Sequence, residues 1–241
     1  MLNTRPTEDA LELCKLLGEM GYEVLGEPLL TIRFNGSSPP AINSFQAVLF
    51  TSRNGVRAFA HSSDERDTMA FAVGDATSRE AEMIGFNEVQ NAAGNVENLV
   101  ALVTAQLNPS DGPLLHISAS VAAGDLSSRL NVAGFDVEKS VLYETVASKQ
   151  FSTRTERLLK NNKLDIIVLF SPRTARTFVD LLKQAELLDF CKSLIVVCLS
   201  EAVAVEVIDI AGVSILTANE PTLESVLETF RDIYCGDLES G

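Results

Sequence analysis

Val48-Leu49-Phe50-Thr51-Ser52-Arg53-Asn54-Gly55-Val56-Arg57-Ala58-Phe59 is the stretch that decides the fold. An apolar run of strand character breaks at two small hydroxyl residues and passes at once into a helical pattern, so it reads as strand, tight turn and helix N-terminus. Nearly the same phrase returns at Val168-Leu169-Phe170-Ser171-Pro172-Arg173-Thr174-Ala175-Arg176-Thr177-Phe178, with Phe50 matching Phe170, Thr51 matching Ser171 and Arg53 matching Arg173. Two such turns in one chain point to duplication.

Outward from these turns the halves keep the same element order. Leu2-Asn3-Thr4-Arg5-Pro6 reads as a strand end, and Thr7-Glu8-Asp9 opens a helix with apolar face Ala10, Leu13, Leu16, Leu17 and Met20, ended by Gly21. A second strand begins at 22–24, an extended connector follows at 29–32, and the Gly-Ser-Ser-Pro-Pro run at 36–40 is the best linker. Beyond the first turn come a strand at 69–73, a helix after Gly74-Asp75-Ala76-Thr77 ended by Gly85, a short strand near Val89, and a helix over 96–107 with Asn95 as N-cap. From Pro113 the pattern restarts: strand 114–117, a helix ending at Gly134, a strand near Val137 and an extended segment over 139–146. After the second turn follow strand 194–199, helix 200–211, strand 214–216 and a helix after Pro221-Thr222. Leu17 and Gly21 are echoed by Leu130 and Gly134, Gly85 by Gly212, and Asn95 by Thr222.

Alternating strands and helices predict the α/β class: two flavodoxin-like domains with parallel sheets, joined by a two-stranded connector. The expected domains are residues 1–32 with 147–241, and residues 36–138. The connectors fall at 29–35 and 139–146.

A hydrophobic share of 46% with 22% charged residues excludes general disorder. The tract 194–218 carries Glu201, Glu206 and Asp209 and makes a poor membrane span. No charged n-region leads into an apolar h-region, so no signal peptide is expected and the chain reads as cytoplasmic. The net charge of −14 argues against nucleic acid and against an anionic membrane surface. It leaves room for a small anionic ligand, because surface charge is screened beyond about 8 Å at physiological salt. Cys14, Cys191, Cys198 and Cys235 show no CxxC pairing and read as buried apolar residues, and His61 and His116 stand far apart, so no metal site is expected. His116, inside a strand pattern, reads as structural.

In open parallel sheets ligands bind at the carboxyl ends of the strands. Those ends carry Thr4-Arg5, Thr51-Ser52-Arg53-Asn54, Asp75-Ala76-Thr77, Ser118-Ala119-Ser120, Ser171-Pro172-Arg173-Thr174 and Ser200. Hydroxyls and helix N-termini suit anions, although the same residue types cap helices in every α/β protein. Neither a Walker loop nor a GxGxxG fingerprint is present, and no Ser/His/Asp or Cys/His set lines up. Two domains facing each other with such rims would grip a ligand bearing several carboxylates or phosphates.

The set Asn3-Thr4-Arg5-Pro6, Phe50-Thr51-Ser52-Arg53-Asn54-Gly55-Val56, Val73-Gly74-Asp75-Ala76-Thr77, Val141-Leu142-Tyr143-Glu144-Thr145, Phe170-Ser171-Pro172 and Ser200-Glu201-Ala202 resembles the uroporphyrinogen-III synthase family. The likeness runs from residue 2 to about 230. It implies a cofactor-free carbon–oxygen lyase that closes hydroxymethylbilane, a linear tetrapyrrole rich in carboxylates, to a macrocycle with loss of water and inversion of the last ring through a spiro intermediate. It carries the family's tyrosine onto Tyr143, as the catalytic group. The family's polar substrate contacts carry over onto Ser52, Arg53, Thr77, Ser171 and Ser200, and the turns of this chain add Thr4, Arg5, Thr51, Asn54, Ser118, Pro172 and Thr222 as expected substrate-binding residues. In this family backbone amides hold much of the substrate. Some members place adjacent threonines where this chain has Ala202 and Val203, which leaves Ser200 or water to donate at that corner. The expected partners are the polycarboxylate substrate and the enzyme that makes hydroxymethylbilane, with no nucleic acid and no membrane, and the expected state is a monomer. The rival is a non-catalytic cytosolic two-domain protein that closes on a small polyanionic ligand. Tyr143 is expected to be exposed, in the return connector.

Overall fold

Continuous apolar tetrapeptides build the strands. Ala47-Val48-Leu49-Phe50 and Ile166-Ile167-Val168-Leu169 are buried throughout, as strands covered by helices on both faces must be. The structure, a computed structural model, describes residues 1–121 and 125–239, and side chains as far as residue 233. In chain order the first repeat runs β1 (Leu2–Asn3), α1 (Thr7–Glu19), β2 (Leu25–Gly26), β3 (Leu30–Phe34), β4 (Ala47–Phe50), α2 (Arg53–Ser62), β5 (Met69–Ala72), α3 (Asp75–Met83), β6 (Val89–Asn91) and α4 (Val96–Gln106). The second runs β7 (Leu114–Ala119), α5 (Leu126–Val132), β8 (Val137–Ala147), α6 (Thr153–Lys160), β9 (Ile166–Leu169), α7 (Pro172–Gln184), β10 (Ile195–Cys198), α8 (Glu201–Ala204), β11 (Ser214–Thr217) and α9 (Leu223–Glu239).

The chain divides into two compact units, residues 1–31 with 146–241 and residues 32–145. The first holds a five-stranded sheet in the order β11-β10-β9-β1-β2, with every pair parallel. Counted along the chain this is the 2-1-3-4-5 order of flavodoxin-like sheets. The other sheet has the order β3-β8-β7-β4-β5-β6, and β8 through β6 pair in parallel. Counted from β7 through β8 and then β4, β5 and β6, it has the same 2-1-3-4-5 order, so each sheet takes strands from both repeats.

Alternate strand residues serve opposite faces. In the first unit Ile167 and Leu169 join Phe178, Leu181 and Leu182 of α7, whereas Ile166 and Val168 join Leu13 and Leu17 of α1 and Val226 and Phe230 of α9. In the second, Val48 and Phe50 pack with Val56 and Phe59 of α2, whereas Ala47 and Leu49 pack with Leu99 and Val103 of α4 and Leu126 and Leu130 of α5. Gly21 and Gly134, at φ +90° and +95°, end α1 and α5 in the left-handed conformation that glycine adopts without a Cβ clash. Asn95 caps α4 in a reciprocal box with Asn98. The buried carboxylate of Glu27 accepts from the Ser152 N–H at 2.9 Å and its hydroxyl at 2.6 Å, and from the Thr155 hydroxyl, at the N-terminus of α6.

Three local expectations need correction. The helix expected over 200–211 is only α8, followed by turns, because Val205, Val207, Ile208 and Ile210 are β-branched and lose side-chain freedom in a helix. Ser118 lies inside β7, 1% exposed, and so it is not part of an open rim. Tyr143 is 6% exposed, where an exposed residue was expected.

Cys191 and Cys198 are buried free thiols, and burial pushes them up to about 11 and about 12. Cys14 is half-buried beside the Asn3 amide, and the side chain of Cys235 lies outside the described residues. An aromatic disulfide reagent at pH 8 should leave Cys191 and Cys198 unmodified in the folded protein and label both in urea, since the thiolate is the reactive form. Labelling of either at the rate of an exposed thiol would contradict this packing.

Candidate functional site

The strand order has a switch point in each unit, and the small hydroxyl residues of the sequence gather there. In the first unit β1 and β9 lie side by side while the chain leaves them in opposite directions across the sheet, which opens a crevice at their carboxyl ends. Thr4 and Arg5 follow β1, and Phe170, Ser171 and Pro172 follow β9. Thr4 is fully buried, and its hydroxyl donates to the Val168 carbonyl at 2.8 Å, so its side chain ties the two strands together. The Arg5 guanidinium lies 4.4 Å from the centroid of the Phe170 ring, a cation–π contact that holds a positive charge at the crevice. Ser171 caps α7: its oxygen accepts from the Thr174 N–H at 3.1 Å and lies 2.7 Å from the Thr174 hydroxyl, with Pro172 at the first helical position.

Ser200 precedes α8 without a side-chain cap bond, at the end of β10. Beside it, at the ends of β10 and β11, is a cavity of about 320 Å³ lined by Ser200, Glu201, Thr217 and Asn219 among others. Thr222 is exposed at the start of α9 and accepts from the Ser225 N–H at 3.2 Å. Val203 is 1% exposed in the core, so the residue at that corner packs inward.

In the second unit the switch point lies between β4 and β7. Thr51, Ser52, Arg53 and Asn54 form the half-buried turn from β4 into α2. Ser52 caps α2, its oxygen accepting from the Gly55 N–H at 3.3 Å. Thr77 is 5% exposed in the first turn of α3, where its N–H donates to the Gly74 carbonyl. The Ser118 hydroxyl donates to the Ala119 carbonyl at 3.0 Å.

Tyr143 reaches this turn because β8 is irregular. Ser118 pairs with Val141 but Ala119 pairs with Tyr143, which leaves Leu142 as an extra residue. Side chains alternate along a strand, and without the bulge Tyr143 would face the α4–α5 side. Instead Leu142 and Tyr143 both join Phe50, Ile117 and Ala119 on the α2 side, and the Tyr143 hydroxyl lies 3.0 Å from the Ser52 hydroxyl. Burial raises the pKa of the phenol above its ordinary value, and the Ser52 hydrogen bond pulls it part of the way back. This pairing, across 91 residues of chain, is the part of the site with no local sequence signal.

The expected residues therefore form two groups. Thr4, Arg5, Ser171, Pro172, Ser200 and Thr222 belong to the first unit, and Thr51, Ser52, Arg53, Asn54, Thr77, Ser118 and Tyr143 to the second. Among the described residues no cluster of three or more His, Cys, Asp or Glu is placed to hold a metal, and no helix is long and apolar enough to cross a membrane.

The family model described as "Uroporphyrinogen-III synthase HemD" matches residues 12–228. A uroporphyrinogen-III synthase of Chlorobaculum parvum is 26% identical over 204 residues, covering 78% of this chain and 81% of that protein. Among solved structures, uroporphyrinogen-III synthetase from Helicobacter pylori has TM-score 0.60 at 18% identity, covering 88% of this chain and 93% of its own. A mutant uroporphyrinogen III synthase from the extremely thermophilic bacterium Thermus thermophilus has TM-score 0.55 at 14% identity, covering 96% of both chains. At those identities the two structures speak to the fold, two parallel-sheet α/β domains, while the family match spans nearly all of the chain. The chain belongs to the uroporphyrinogen-III synthase family.

Proposed function

We propose that the protein closes hydroxymethylbilane to uroporphyrinogen III, acting as a cofactor-free carbon–oxygen lyase. The observation that carries this reading is the Tyr143 hydroxyl, turned by a strand bulge onto the N-terminal turn of α2 at the carboxyl end of a flavodoxin-like sheet. In the first step the pyrrole nitrogen pushes out the terminal hydroxyl. The carbon–oxygen bond breaks, and a proton from the Tyr143 phenol completes the departing water. The cationic carbon is then attacked by the substituted position of the last ring, which gives the spiro intermediate. That intermediate fragments and recloses with the ring inverted, and the proton lost on final aromatisation restores the phenol.

Substrate carboxylates need donors without chemistry of their own. The N-terminal ends of α2, α3 and α7 present the positive end of the helix dipole. Arg5 adds a cation, and Thr51, Arg53, Asn54, Thr77, Ser171 and Ser200 add polar side chains. Thr4 and Ser118 offer no side-chain donor to the substrate, since their hydroxyls are bonded internally. We place the protein in the cytoplasm, as a monomer supplied by the enzyme that makes the bilane.

The purified protein, dialysed against a chelator, should consume hydroxymethylbilane well above its spontaneous rate, with no metal or cofactor added back. Consumption at the spontaneous rate with tight binding of the bilane would favour the non-catalytic binder. Activity that returned only with an added metal would refute the cofactor-free lyase.

A further inference from the structure

The Ser52–Tyr143 pair has a bonding pattern that restricts what each hydroxyl can do. Ser52 Oγ accepts from the Gly55 N–H at 3.3 Å, which occupies one lone pair and fixes the oxygen on the helix end. Its other neighbour is the Tyr143 hydroxyl at 3.0 Å, where either oxygen can donate. The two hydroxyls carry two protons, and the bond between them uses one. A single proton is left to point away from the pair. When Ser52 donates, that outward proton sits on the phenol.

We infer that Ser52 is a positioning residue for Tyr143: it donates to the phenol oxygen, aims the phenol proton outward and stabilises the oxygen as that proton leaves. This rests on the assignment of Tyr143 as the proton donor. A hydrogen bond to an oxygen gaining negative charge strengthens as the charge develops, because charge-assisted bonds are roughly twice as strong as neutral ones. Burial makes an unassisted phenolate costly, and the serine offsets part of that cost. Threonine keeps the hydroxyl and alanine removes it.

The test is kinetic and spectroscopic, on the full chain. Ser52→Ala should lower kcat by about tenfold, less than the roughly 10²- to 10⁴-fold of a proton donor itself because Ser52 acts only through Tyr143, with KM little changed. Ser52→Thr should restore most of it. In a Tyr143→Phe background Ser52→Ala should cost nothing further, because Ser52 then has no phenol to act on. The Tyr143 phenol, isolated from Tyr22 and Tyr234 by subtracting the ultraviolet titration of Tyr143→Phe, should titrate at higher pH in Ser52→Ala.

Ser52 also caps α2, and the Tyr143→Phe background controls for the lost cap alone, because Ser52→Ala removes the bond from the Gly55 N–H in both backgrounds. An equal loss from Ser52→Ala with and without the Tyr143 hydroxyl, or an unmoved Tyr143 titration, would overturn the inference. Full activity of Tyr143→Phe would instead overturn the donor assignment, and the titration would still report whether the two hydroxyls are coupled.

Discussion

Tyr143→Phe is expected to keep the fold and to lower turnover by about ten- to a hundredfold, at or below the bottom of the roughly 10²- to 10⁴-fold that positioned proton donors contribute, because the substrate already drives the departure. Phenylalanine fills the same buried volume beside Phe50 and Ile117 and loses only the bond to Ser52, at a cost of about 1 kcal/mol. The turnover that remains should still give the type III isomer, since ring inversion follows from how the bilane is held. Steady-state kinetics on the folded variant, with isomer analysis, checks both parts. Full turnover would remove Tyr143 from the mechanism and leave catalysis to positioning at Ser52, Thr77 and Ser171.

Acid should destabilise the protein through His116. It is 4% exposed in β7, its Nδ1 lies 3.0 Å from the Ser127 hydroxyl on α5, and its Nε2 has no partner among the described residues. Burial, with Lys139 adding to it, lowers its pKa from 6.5 to about 4. The unfolded chain therefore binds a proton below pH 6.5 that the folded chain refuses until about pH 4. Stability falls as pH falls through that window, by about 3 kcal/mol at its lower end, and His116 contributes no slope above it. Many carboxylates titrate nearby in pH, so the measure is a difference. Urea unfolding at pH 7.5 and pH 4.5 should show a smaller acid loss in His116→Gln than in the parent chain. Equal losses would mean that His116 accepts its proton in the folded state.

The fold was legible where burial is complete. β4 and β9 are apolar at every position because helices cover both faces, and the hydroxyl that follows each of them caps a helix, so strand, turn and helix could be read from twelve residues. The duplication was legible because Gly21 and Gly134 must take positive φ at equivalent helix ends. Residues 203–210 misled because an apolar, spaced pattern resembles a helix face whether or not its β-branched side chains tolerate one. The extent of β7 was missed for the opposite reason: Ser118 is a turn-forming type whose hydroxyl is satisfied by the Ala119 carbonyl inside the strand.

The candidate site was legible in residue types and not in its contacts. Small hydroxyl residues after strands mark the carboxyl ends of the sheets, and Ser52 and Ser171 stand there as caps. Which of them faces Tyr143 depends on one extra residue, Leu142, in β8, and a bulge of that kind leaves no period in the sequence. The buried state of Tyr143 follows from the same residue. Thr4 shows the converse: its position after β1 was readable, but the Val168 carbonyl that takes its hydroxyl lies 164 residues away.

The most direct test of the central claim is the isomer formed from hydroxymethylbilane, oxidised and separated as porphyrins. The bilane closes on its own to the type I ring, without inversion. With the protein present in catalytic amount, the product should be predominantly the type III isomer; type I alone, at any rate of consumption, would contradict the account.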